Sequence, residues 1–136
     1  MAVGDPRPRL FFRKHLGTLS ATATHNLFSV PPGMSLQIIA ARLISATATA
    51  GVHNDTDYYT VVLHSKTANH DMNALATSSL VLASGQDLAA DLPTTIVINS
   101  THVWVATGET IQLVCTKVLS AANLVDCVIE VDAIPF

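Results

Sequence analysis

The chain is predicted to be all-β: an antiparallel two-sheet sandwich of jelly-roll type, with about eight strands and an extended N-terminal arm. Three observations predict it. First, Val30-Pro-Pro-Gly-Met-Ser-Leu-Gln-Ile-Ile-Ala-Ala-Arg-Leu-Ile-Ser-Ala46 aligns without a gap on Val105-Ala-Thr-Gly-Glu-Thr-Ile-Gln-Leu-Val-Cys-Thr-Lys-Val-Leu-Ser-Ala121, with 5 of 17 positions identical. Each copy reads as a short strand, a glycine turn, a strand and a Ser-Ala loop, so the sandwich is expected to consist of two similar halves. Second, turn signals recur every 8–14 residues along the chain. Third, the last segment alternates apolar Cys127, Ile129, Val131 and Ala133 with Val128, Glu130 and Asp132, the period of a strand with one face buried.

Length and composition set the frame. The 136 residues suffice for one domain with a proper core. Apolar residues make up 49% of the chain and charged residues only 12%, against a usual charged share of about 25%. Such a chain is not disordered, since disorder goes with high charge and few apolar residues. The apolar stretch from Ile38 to Ile44 is interrupted by Arg42 and falls short of the ~20 residues a membrane helix needs, so no membrane partner is expected. Low charge leaves apolar surface that other subunits would cover.

Residues 1–14 read as an extended basic arm, and residues 15–136 as the single sandwich domain. Pro6 and Pro8 forbid helix and favour extended geometry. The arm carries Arg7, Arg9, Arg13 and Lys14 against Asp5, a net of +3. Arg42, Lys66 and Lys117 face nine acids in the remainder, a net of −6. Four cations with two prolines are few for a nucleic-acid contact. The arm is instead expected to dock on an acidic neighbouring subunit, with Phe11 and Phe12 as apolar anchors. The start of the chain lacks the apolar core of a signal peptide.

The strands follow in order. Thr18 to Thr24 suits a strand of small side chains, Asn26 to Val30 continues or pairs with it, and Pro31-Pro32-Gly33 closes a turn. Ser35 to Ala48 is the first core strand. It is apolar on both faces, through Leu36 and Ile38 on one and Ile39, Ala41 and Leu43 on the other, so it is covered on both sides or carries a bulge that flips its parity. A polar loop over residues 53–57 precedes a strand through Tyr59, Val61 and Leu63. Between Lys66 and Leu92 the pattern is ambiguous, with Leu75 to Ala83 readable as strand or helical turn. Thr95 to Ile98 and His102 to Val105 are short strands before the second repeat, and Val125 to Ile134 closes the chain.

Chemistry-bearing motifs are scarce. No nucleophile elbow, phosphate loop, dinucleotide fingerprint or H-E-x-x-H pattern occurs, and an enzyme is not expected. Histidines 15, 25, 53, 64, 70 and 102 lack ligand spacing, so no metal or other cofactor is expected. Asp55 and Asp57 offer alternating oxygens that Ca²⁺ could use with Asp71, although turn chemistry accounts for two loop carboxylates. Tyr58, Tyr59 and Trp104 could stack a sugar, but seven aromatics in the whole chain favour core or interface packing. Cys115 and Cys127 would face each other in a hairpin centred on Ala121, as reduced, buried thiols.

Taken together, the arm, the Val-Pro-Pro-Gly and Thr-Gly-Glu-Thr-Ile turns and the alternating terminal strand resemble small structural proteins of tailed-bacteriophage virions, above all the capsid decoration (cement) proteins. The resemblance implies a jelly-roll-like homo-oligomer, with a trimer expected, made in the host cytoplasm and seated on the capsid surface. Its partner would be the major capsid protein, met through Arg7, Arg9, Phe11, Phe12, Arg13 and Lys14. The competing class is a ligand-binding sandwich, such as a sugar-binding module or a fibre tip that recognises a host surface.

Overall fold

The structure, a computed structural model, describes residues 9–49, 54, 56–66, 70–71, 80–81, 88–96, 98 and 104–135. Ten strands and no helix occur among the described residues. They are β1 (Leu10–Leu19), β2 (Ala23–Ser29), β3 (Leu36–Ile44), β4 (Tyr58–Ser65), β5 (His70–Asp71), β6 (Leu80–Val81), β7 (Thr94–Ile96), β8 (Trp104–Val105), β9 (Thr110–Val118) and β10 (Leu124–Pro135). Two antiparallel sheets result. The first runs β1-β10-β3-β7 with β8 also on β3, and the second runs β2-β9-β4-β5 with β6 also on β4. The expected antiparallel sandwich is the observed fold.

The two aligned stretches occupy matching places, but they interlock instead of forming separate halves. One unit is β2-β3-β4 and the other β8-β9-β10. β3 lies between β10 and β8 in the first sheet, and β9 lies between β2 and β4 in the second. Each unit thus inserts its middle strand between the outer strands of the other. Gly33 and Gly108, at φ 73° and 81°, hold the matching turns in a region that side chains disfavour. The turns abut: Val30 N–H donates to the Glu109 carbonyl at 2.8 Å, Gly108 N–H to the Val30 carbonyl at 3.1 Å, and Thr107 Oγ1 to the Met34 carbonyl at 2.6 Å.

Core placement follows the alternation. Leu36 and Ile38 in β3 and their counterparts Ile111 and Leu113 in β9 are fully buried, as are Cys127, Ile129, Val131 and Ala133 of β10. The doubly apolar face of β3 is explained by a bulge. Asp132 pairs with Ala40 and Ala133 with Ile38, so Ile39 is the extra residue. Leu36 and Ile38 point inward before it, Ala41 and Leu43 after it.

Three expectations are corrected. The strand read over Thr18 to Thr24 straddles a corner at residues 20–22, where the chain leaves the first sheet for the second. Leu19 is buried at that corner and its carbonyl accepts from Tyr59 Oη at 3.1 Å. The boundary after Lys14 falls inside β1, because Leu10 and Phe12 alternate with Phe11 and Arg13 and pair along β10 from Ala133 to Ile129. Cys115 and Cys127 are not hairpin partners. β9 and β10 lie in different sheets, so the turn after Val118 is an arch across the core, and the thiols are buried on opposite sheets.

Candidate interaction surface

The outer face of the first sheet carries four strand charges, Arg13, Arg42, Glu130 and Asp132. Arg13, Glu130, Arg42 and Thr95 stand in one row across β1, β10, β3 and β7. Arg42 Nε donates to Glu130 Oε1 at 3.1 Å and Arg42 Nη1 to Asp132 Oδ2 at 3.1 Å. Arg13 reaches Glu130 at 3.8 Å, with its own side chain 59% exposed. Hydrogen bonding to Asp132 holds the Arg42 guanidinium more firmly in its charged form. The planar fork suits this role, since it engages two carboxylates at once from a fixed geometry.

Aromatics bracket that ladder. Phe11 pairs with Asp132 on one edge strand and Trp104 with Gln37 on the other, and both point away from the core at 55% and 52% exposure. The second sheet differs. Its outer positions on β2, β9 and β4 are Thr24, Asn26, Thr110, Gln112, Val114, Thr60, Val62 and His64, with Gln112 Nε2 donating to Asn26 Oδ1 at 2.7 Å. It carries no formally charged side chain at those positions.

The six residues expected to contact a neighbour separate. Arg7 lies outside the described residues. Arg9 is exposed just before β1, and Phe11 and Arg13 face outward. Phe12 turns inward and stacks on Phe28, with ring centroids 3.7 Å apart and planes within 5°. Lys14 Nζ donates to the Asn26 carbonyl of β2. Two of the six are therefore engaged inside their own sandwich. Beside Lys14, the buried Nε2 of His25 has no hydrogen-bond partner, and burial, with Lys14 second, lowers the His25 pKa.

The other candidates find bland roles. Asn54 Oδ1 accepts from Thr56 N–H at 2.8 Å and Asp57 N–H at 2.9 Å, an Asx turn, while Asp57 Oδ1 accepts from Ser120 N–H at 2.9 Å. Asp57 thus ties the β3–β4 loop to the β9–β10 arch; His53 and Asp55 lie outside the described residues. No group of three or more His, Cys, Asp or Glu side chains converges among the described residues. Tyr59 is a core residue. Tyr58 pairs with Val118 at the far end of β9, whereas Trp104 pairs with Gln37 beside the glycine turns, so they share no platform. Burial pushes the Cys115 thiol up to about 12 and also raises that of Cys127.

The only sequence signal of the ladder is that Arg42, Glu130 and Asp132 interrupt otherwise apolar strands. No family model, curated protein or solved structure matches this chain.

Proposed function

We propose that the chain is a structural, interaction-dedicated protein that works as a homo-oligomer on a virion shell, in the manner of a capsid decoration protein bound to the major capsid protein. One observation carries the interaction part of this reading. The outer face of the first sheet presents Phe11 and Trp104 on opposite edges of an alternating Arg13–Glu130–Arg42–Asp132 ladder, in a chain with only 12% charged residues. Aromatic and arginine side chains are the types enriched where proteins bury surface against one another. A ladder of alternating sign also discriminates between partners, since a misplaced neighbour sets like charges together.

The jelly-roll reading is supported by strand order. Counting β5 with β6 as one position and β7 with β8 as one gives eight positions. The sheets then read first-eighth-third-sixth and second-seventh-fourth-fifth. That interleaving arises when one long antiparallel hairpin wraps into two Greek keys. The virion setting and the trimer come from the resemblance of the turns and terminal strand. Binding of the purified chain to undecorated capsid shells, compared with a Phe11→Ser/Trp104→Ser variant, tests the reading. The expected result is saturable binding that the variant loses; equal retention of both proteins on the shell counts against it.

A further inference from the structure

β1 and β2 are the edge strands of the two sheets on one side of the sandwich, and a cavity of about 240 Å³ opens between them. Ile129 and Val131 of β10 form its floor, and Phe12, Leu27 and Phe28 its walls. The bulge between Asn26 and Phe28 takes Leu27 out of the ladder with β9, which leaves its side chain half-buried at the cavity. The stacked Phe12 and Phe28 rings make one apolar wall.

The polar lining is of one sign. Arg13 and Lys14 border the cavity and no carboxylate lines it. The contact from Arg13 to Glu130 is long and solvent-exposed, which makes it weak. Lys14 Nζ gives one hydrogen to the Asn26 carbonyl, and an ammonium has two more to donate. A positive opening on a chain of net charge −3 selects an anionic head, while the floor selects an apolar tail. The volume lies below the roughly 300–1,000 Å³ of drug-sized sites, which limits the tail to about eight carbons or a single ring.

We propose that the cavity between β1 and β2 binds a small amphipathic anion, an alkyl or aryl carboxylate whose tail rests on Ile129 and Val131 and whose head meets Lys14 and Arg13. The proposal does not rest on the oligomeric reading, because these side chains line the cavity within one chain.

Octanoate titrated into the full chain, followed through the methyl resonances of Leu27, Ile129 and Val131, tests it. The expected result is a saturable one-to-one shift of those methyls. Octanol, and octanoate with the Arg13→Gln/Lys14→Gln variant, should bind about tenfold more weakly, the size of one lost charge-assisted hydrogen bond. Leu27→Trp should fill the cavity and abolish the shifts, with an unchanged thermal melt showing that it folds. Three results overturn the proposal: no saturable shift at millimolar octanoate, equal binding of octanol, or a folded Leu27→Trp variant that still binds. If Leu27→Trp instead dissociates an oligomer while octanoate shifts nothing in the parent chain, the cavity is occupied by another copy and not by a small ligand.

Discussion

Arg42 and Glu130 are directly opposed on β3 and β10, and the Arg42 guanidinium bridges Glu130 and Asp132 on the same strand at 3.1 Å each. These groups lie 88 and 90 positions from Arg42 in the chain and are only part-buried. Removing Arg42 leaves Asp132 without its cation and Glu130 with only the long contact to Arg13. Arg42→Ala should therefore cost about 1–3 kcal/mol in urea unfolding, between the values for exposed and buried pairs. Arg13→Ala should cost less than about 0.5 kcal/mol, because its side chain is mostly solvated. Equal costs would mean that the ladder is not organised around Arg42.

The interlocked repeat predicts matched penalties in its two units. Leu36→Ala and Ile111→Ala should each destabilise by about 2–5 kcal/mol, since both residues are completely buried. Gly33→Ala and Gly108→Ala meet no atom within 4 Å, so their cost is backbone strain alone, about 1–2 kcal/mol each. Thermal or urea unfolding of the four variants checks this. A marked asymmetry between partners would argue against equivalent roles.

The thiols provide a kinetic test. With its pKa pushed up to about 12, Cys115 holds almost no thiolate at pH 8, and both cysteines are fully buried. A bulky disulfide reagent should label neither in the native protein and both quickly in urea. Fast native labelling would contradict the placement of β9 and β10 on opposite sheets with their thiols inside.

His25 sets a pH dependence. Burial, then Lys14, lowers its folded pKa below the ordinary 6.5. Below that value the unfolded chain takes up the proton more readily, so stability is full above about pH 6.5 and falls as the pH drops through the folded pKa. Melting temperatures from pH 7.5 to 5 should decline, and His25→Gln should flatten that part of the curve. An unchanged slope in the variant would assign the effect to another group.

Much of the fold was legible where one face of a strand is buried and the other wet. The alternation of Cys127, Ile129, Val131 and Ala133 against Glu130 and Asp132 is of this kind, and so are the matched glycine turns. Three features were legible only in part or not at all. The doubly apolar β3 leaves double coverage or a bulge open in the sequence, and nothing there marks Ile39 as the one extra residue. A hairpin and an arch both reverse the chain after Val118, and only partner strands far away in sequence decide between them. Basic residues mark residues 1–14 as an arm in the sequence, while Leu10 and Phe12 have the spacing of a strand. The surface was the least legible part, because Arg42, Glu130 and Asp132 become neighbours only through the long-range register of β3 on β10.

On the proposed reading, the outer face of the first sheet is covered by another copy of the chain. Sedimentation velocity across a concentration series, on the full chain and on Phe11→Ser/Trp104→Ser, tests it most directly. Both substitutions are at half-exposed positions on edge strands, so the fold should survive. The expected result is a compact oligomer for the parent chain that dissociates at least tenfold more readily in the variant, about 1.4 kcal/mol of association free energy. A parent chain that remains monomeric at every concentration, or a folded variant that assembles as tightly as the parent, would contradict it.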